Sequence, residues 1–174
     1  MNTSETIANL LTLAGLAAIA LMLRKKANDD EQTPAEALRY PNPTGATRGL
    51  RNNNPLNIEK TSTVWQGEIR PSTDPRFAQF QSMPYGYRAA FKTIRTYITK
   101  YGLNTVEKII RRWDSGSTNY VNVVCQYSGL KPGSVVTTTD TDTLTRLVSA
   151  MSRMENGVAA NMQDINAGLR LAQS

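Results

Sequence analysis

The sequence SMPYGYRAAFKTIRTYITKYG occupies residues 82–102 and decides the class of fold. Its apolar residues recur three and four positions apart, which is the spacing of one buried helix face: Tyr87, Ala90, Phe91, Ile94, Tyr97, Ile98 and Tyr101. Ser82 is a residue type that caps helices, Pro84 suits a first turn, and Gly102 suits a helix end. The stretch therefore predicts a long helix with one face in a hydrophobic core.

The residues after Gly102 predict four further helices, so this half of the chain is expected to be mainly α. The predicted ranges are 105–113, 118–127, 140 or 141 to 157, and 160–172. Trp113 falls at the spacing of a core position and is predicted to be buried. Cys125 lies in an apolar run, which favours a buried structural thiol over a nucleophile.

The residues before the long helix look irregular instead. The run RNNNP at 51–55 is typical of a loop, because asparagine and proline favour turns. Short β-prone pieces are predicted at 63–65 and 77–80. The expected fold class is thus mainly α, with α+β character from a small irregular or β part.

An apolar run begins at Ile7 and ends at Leu23, and it contains 17 residues without a charge. This length is at the short end for a helix that crosses a bilayer, and a core helix or a cleaved signal peptide are the alternatives. Arg24 and the two lysines after it follow directly, which by the positive-inside rule places the rest of the chain on the cytoplasmic side. A single-pass membrane protein is predicted.

The predicted organisation has three parts. Residues 1–26 form the N-terminal transmembrane anchor with its basic flank, and residues 27–43 form an acidic, proline-bearing linker. Residues 44–174 form the folded domain.

Composition narrows the chemistry. The chain has no histidine and one cysteine, which excludes Ser-His-Asp and Cys-His catalysis and histidine-ligated metal sites. No metal and no cofactor are expected, and any catalysis depends on carboxylates. The net charge of +6 suits a polyanion such as DNA, anionic lipid or an acidic envelope polymer, or is only a solvated cationic surface.

Five motifs follow one another along the chain: RGLRNNNPLNI at 48–58, WQGE at 65–68, RFAQF at 76–80, YGYRAAFKTIRTY at 85–97 and TVEKIIRRW at 105–113. In this order they resemble a family of phage and prophage virion structural proteins, which implies that the predicted anchor lies in a virion membrane or the host inner membrane. The same layout is similar to bacterial glucosaminidase and lytic transglycosylase domains, which implies a lysozyme-like fold that acts on peptidoglycan glycan strands. Those enzymes carry their general-acid glutamate upstream of the Asn-rich loop, where this chain has its linker and only Glu36 stands at a similar distance.

The resemblance places three carboxylates in the expected saccharide cleft: Glu59, Glu68 and Asp74, with Glu68 the first choice for catalysis. A glycosidase needs one carboxylic acid to protonate the leaving oxygen and a second group at the anomeric carbon. The alternative is that they are solvated loop acids or ion-pair partners of neighbouring arginines.

Four residues are predicted to bind the substrate. The amides of Asn53 and Asn54 are expected to bond N-acetyl groups, and the rings of Trp65 and Tyr85 to stack on sugars. Asparagines in such a loop also simply satisfy backbone groups, and this second use stays open.

Three functions follow as hypotheses. The first is a virion structural protein that cleaves peptidoglycan during infection, and the second is a catalytically inactive domain that links capsid proteins to the membrane or binds glycans. The third and weaker one is a DNA-binding virion protein that uses the RRW sequence at 111–113 and the cations Arg88, Lys92 and Arg95.

Overall fold

The computed structural model describes residues 47–115 and 118–174. These residues contain six helices, which are α1 (Arg48–Arg51), α2 (Met83–Tyr101), α3 (Val106–Trp113), α4 (Thr118–Ser128), α5 (Thr141–Asn156) and α6 (Met162–Gln173). The predicted mainly helical class is confirmed. The predicted anchor from Ile7 to Leu23, the linker at 27–43 and Glu36 lie outside the described residues.

The described helices include none that is both long enough and apolar enough to cross a membrane. The longest of them, α2, has 19 residues and carries charged side chains along its length.

Helix α2 begins and ends where its sequence predicts. Ser82 occupies the N-cap with extended backbone, and Pro84 lies in the first turn. Gly102 ends the helix in the left-handed conformation, with φ of 65°. This conformation is available to glycine without the strain that a side chain would introduce.

Three of the later helices begin at side-chain caps. The Thr105 side chain accepts a hydrogen bond from the amide of Lys108, and Asp140 accepts one from the amide of Thr143. Asn161 caps α6 in the same way, so this helix starts at Met162, slightly later than the predicted range. The four predicted helices after α2 are confirmed, and in three of them a short polar side chain satisfies a free amide of the first turn.

The core lies where α2 meets α5 and α6, and α2 against α6 is the most extensive helix pair. Phe91, Ile94, Leu147, Met151 and Ile165 are fully buried there. Each such side chain stabilises the fold by about 1.5–3 kcal/mol relative to an exposed position. Trp113 and Cys125 pack against this core but are only partly buried, whereas burial was predicted for both.

Two cations of α2 bind the end of α6. The guanidinium of Arg88 donates to the carbonyl oxygen of Leu171 at 3.1 Å, and that of Arg95 donates to the carbonyl oxygen of Ala172 at 3.1 Å. Carbonyls at a helix C-terminus lack partners within the helix, and cations near them are favourable. These arginines, assigned to DNA in the third hypothesis, therefore hold two helices together.

Residues 52–82, which lie between α1 and α2, form the irregular half. They contain isolated bridges rather than strands. Glu59 pairs with Phe77, and Glu68 pairs with Phe80, both antiparallel. The β-prone piece at 77–80 is thus present only as single bridges, and the piece at 63–65 forms none. Asparagine side chains take several of the backbone partners that a longer ladder would use.

Candidate functional site

The Asn-rich loop is held together by its own amides. Asn54 donates to the carbonyl oxygens of Ile58 and Ala78, both at 2.8 Å, and its side-chain oxygen accepts from the amide of Ile58. Asn53 donates to the carbonyl oxygen of Phe80 at 3.0 Å. Both asparagines are buried, and these bonds correspond to the backbone-satisfying alternative rather than to contacts with a sugar.

Asp74 lies at the centre of a buried hydrogen-bond network. Both of its oxygens accept from the Arg48 guanidinium at 2.7 Å, and Asn52 donates to it at 2.6 Å. The amides of Arg76 and Phe77 also donate to it, each at 2.9 Å. The bonds from Arg48 and from these neighbours hold the pKa of Asp74 far below its usual range. A general acid needs a raised pKa. The geometry instead fits a structural role, in which Asp74 connects α1 to the turn at 74–77.

Glu68 is enclosed by the turn that it closes. Its side chain is fully buried, accepts from the amide of Trp65 at 2.9 Å, and pairs with the Arg70 guanidinium at 2.8 Å. Both carboxylate oxygens have partners within the turn, and Glu68, the residue preferred for catalysis on sequence grounds, does not line the cleft described below.

Tyr85 covers the same turn from the side of α2. A Cβ added to Gly67, whose φ is 75°, would lie 2.2 Å from the Cγ of the Tyr85 ring. The ring also packs against the small apolar cluster of Ala78, Phe80 and Ala89. Tyr85 therefore fixes the turn that carries Trp65, and its ring face is occupied by protein.

A cleft of about 440 Å³ lies between the irregular half and the helices. Residues from both sides line it, and those with chemistry or aromatic rings include Glu59, Trp65, Thr93, Tyr97, Trp113 and Glu155. Its volume is within the range of about 300–1,000 Å³ that is usual for ligand sites. Two of the predicted site residues, Glu59 and Trp65, are thus brought together here, whereas Glu68, Asp74 and Tyr85 do not line it.

Glu59 and Trp65 form part of the wall supplied by the irregular half. The Glu59 side chain is 57% exposed and accepts two hydrogen bonds from the Arg76 guanidinium, at 2.5 and 2.8 Å. The indole nitrogen of Trp65 is buried without a hydrogen-bond partner. A buried donor without a partner is unusual, because it loses the bond that water would supply.

Glu155, near the end of α5, is a cleft carboxylate that the sequence did not single out. One of its oxygens accepts from the Asn57 amide and the other from the Tyr120 hydroxyl, both at 2.8 Å. Burial, and then the negative charge of Glu155, raise the pKa of Tyr120, which keeps its hydroxyl protonated as the donor. Asn57 has a φ of 50°, an uncommon conformation that often marks a functional site.

The neighbour of Glu155 fixes its position. Asn156 is buried, donates to the carbonyl oxygen of Pro55 at 2.7 Å, and accepts from the Thr47 hydroxyl at 2.7 Å. These bonds join the end of α5 to the Asn-rich loop and place Glu155 beside Asn57. The string SRMENG at 152–157 is the part of the sequence that makes this contact.

Within 47–115 and 118–174, no group of three or more His, Cys, Asp or Glu is arranged to hold a metal ion. The side chains that line the cleft offer carboxylates, a guanidinium, an amide, hydroxyls and aromatic rings.

No protein-family model matches the chain. Over 119 aligned residues the chain is 40% identical to "Protein P5" of Pseudoalteromonas phage PM2. The alignment covers 64% of this chain and 72% of that protein.

Proposed function

Because the chain belongs to the family of protein P5 of Pseudoalteromonas phage PM2, a bacteriophage protein, we propose that it is a virion structural protein whose domain binds peptidoglycan glycan strands. The cleft is the observation that supports glycan binding, because the indole rings of Trp65 and Trp113 line it from opposite sides together with the carboxylates of Glu59 and Glu155. The placement of this cleft between an irregular half and a helical half supports the lysozyme-like interpretation drawn from the motifs.

The lining of the cleft suits a saccharide. The Trp65 and Trp113 rings offer flat apolar surface to the apolar face of a sugar, and Thr93, Asn57 and Glu155 offer hydrogen-bonding groups. The charge of Glu59 is matched by Arg76 on the same wall. A ligand with many hydroxyl and amide groups fits this mixture better than a purely apolar one.

Cleavage of the bound strand is a second candidate function, and the position of Glu155 favours it. Glycoside hydrolysis uses two carboxyl groups on opposite sides of the scissile bond. Glu155 comes from the helical side of the cleft and Glu59 from the irregular side. We propose this pair in place of Glu68 and Asp74, which do not line the cleft.

The test uses the purified full-length chain in detergent with isolated peptidoglycan sacculi. We expect co-sedimentation with the sacculi, and Trp65→Ala should weaken it about tenfold, equivalent to about 1.4 kcal/mol of lost stacking. In cell-wall zymograms Glu155→Gln should abolish clearing while binding remains. Glu107→Gln, which changes a carboxylate on α3 that does not line the cleft, is the matched control. A folded wild-type chain that does not sediment with sacculi contradicts the proposed function.

We also propose that the run from Ile7 to Leu23 anchors the chain in a lipid membrane, with capsid or other virion proteins as neighbours. Deleting residues 7–23 is expected to lower the amount of chain in floated membrane fractions and in purified particles by roughly tenfold or more. Replacing the run by an unrelated apolar sequence of equal length should restore flotation. Undiminished flotation of the deletion variant would exclude the anchor.

A further inference from the structure

A cluster of cations and aromatic rings lies at one end of the cleft. It consists of Tyr97, Lys100 and Tyr101 on α2 with Arg112 and Trp113 on α3, and we call it the cation–aromatic lip. The Arg112 guanidinium lies 5.9 Å from the Tyr97 ring centroid and 5.5 Å from that of Tyr101. The Lys100 ammonium lies 5.6 Å from the Tyr101 ring centroid.

The lip is continuous with the cleft through its rings. Tyr97 and Trp113 both line the cleft, and their centroids are 6.3 Å apart in an edge-to-face arrangement. Tyr97 meets Tyr101 in the same way at 6.5 Å, and Tyr101 is 50% exposed. A ligand that leaves the cleft past Tyr97 therefore reaches Arg112 and Lys100 directly.

Arg112 differs from the neighbouring arginines in its partners. Arg70, Arg76 and Arg111 each pair with a glutamate. Arg112 and Lys100 form no ion pair with any residue in 47–115 or 118–174, and their contacts are with rings. Two rings lie beside the guanidinium, and no carboxylate in 47–115 or 118–174 pairs with its N–H donors, which suits two-point recognition of a carboxylate on a ligand.

Nearby negative charges limit where an anion can bind. Asp114 lines the cleft beside Trp113, and Glu107 is occupied by Arg111. An anionic group is repelled from the Asp114 side and attracted to the outer side of Tyr97, where the two unpaired cations lie. The site thus suits a ligand whose middle part is neutral and polar and whose one end carries a carboxylate.

We propose that the cation–aromatic lip binds the carboxylate of an acidic sugar, so that the cleft selects glycan strands with carboxylate-bearing residues over neutral ones. This inference rests on the proposed glycan-binding function, and it adds the class of glycan. Arg112 contributes the fork that recognises the carboxylate, and Lys100 contributes charge.

The experiment measures the affinity of the detergent-solubilised full-length chain for two tetrasaccharides by titration calorimetry. One alternates N-acetylglucosamine with N-acetylmuramic acid, and the other is the same molecule with its carboxyl groups reduced to alcohols. The acidic form is expected to bind about tenfold more tightly at low salt, and the difference should shrink as salt is added.

Variants of Arg112 separate charge from shape. Arg112→Gln should remove the difference between the two ligands, because it lowers the affinity for the acidic one, whereas Arg112→Lys should retain part of the difference. Arg170→Gln, at an exposed cation on α6, is the control and should change neither affinity. The melting temperature of each variant verifies that it is folded.

Each other outcome has a definite meaning. Equal affinity of the wild-type chain for the two ligands overturns the inference and leaves the proposed function intact. Binding of neither ligand by a folded chain overturns the proposed function as well. Displacement of the acidic ligand by duplex DNA at lower concentration, lost in Arg112→Gln, overturns the inference in favour of a nucleic-acid site.

Discussion

Replacing Asp74 by alanine is expected to lower the free energy of unfolding of the domain by about 3 kcal/mol, because it leaves the buried Asn52 amide and two backbone amides without their acceptor. The carboxylate also pairs with Arg48, whose side chain is 42% exposed, whereas that of Asp74 is only 7% exposed. Domains of this kind have total stabilities of about 5–15 kcal/mol. The variant should therefore lose a large share of its stability.

Urea denaturation followed by tryptophan fluorescence measures the effect. Glu59→Ala is the matched control, since it removes an exposed ion pair that is worth about 0–1 kcal/mol. Similar losses in the two variants would contradict the network described for Asp74.

The same carboxylate predicts how stability depends on pH. The pKa of Asp74 is lower in the folded state than its unfolded value of about 3.9, so folding favours the ionised form. The stabilisation is complete above the unfolded pKa and is lost as pH falls below it. Wild-type stability should thus begin to fall near about pH 5 and continue to fall below about pH 3, and a stabilised Asp74→Ala background should lack this component.

Gly86→Ala is expected to destabilise the domain by about 3 kcal/mol, although alanine is normally favoured over glycine within a helix by about 1 kcal/mol. A Cβ at Gly86 would lie 2.1 Å from the carbonyl oxygen of Asn53 and 2.6 Å from Cδ of Pro55. The loop cannot retreat without breaking the hydrogen bond between Asn53 and Phe80.

Thermal unfolding followed by circular dichroism measures this effect. Gly133→Ala is the matched control, because a Cβ there meets nothing within 4 Å and its backbone is not left-handed. A Gly86 variant as stable as the wild type would mean that α2 does not contact the loop at this distance.

The helices could be predicted because their signals are local. The apolar spacing of α2, its Pro84 and its Gly102 all lie within the helix or next to it, and the structure confirms the helix and both of its ends, although Tyr101 of the predicted buried face is 50% exposed. The caps at Thr105 and Asp140 likewise act on amides three residues away. Interactions between residues that are close in sequence can be predicted from the sequence alone.

The site residues could not be assigned in the same way, because their roles depend on distant partners. From its sequence neighbours Asp74 is predicted to be an exposed loop acid. Its burial depends on Arg48 and Asn52, which lie more than 20 positions earlier and donate to it only in the folded chain. Glu155 reads as a solvated helix acid, and only its contact with Asn57, 98 positions away, brings it to the cleft. The motif resemblance located the Asn-rich loop and Trp65, but the amides of that loop bind backbone.

The pairing of α2 with α6 also affects how the chain folds as it is synthesised. Met162 follows Tyr101 by 61 positions, so the apolar side of α2 leaves the ribosome well before the helix that covers it. At about 5–20 residues per second, this interval lasts about 3–12 s. During that time the nascent chain presents an uncovered apolar helix, which makes it a client for chaperones until α6 has emerged.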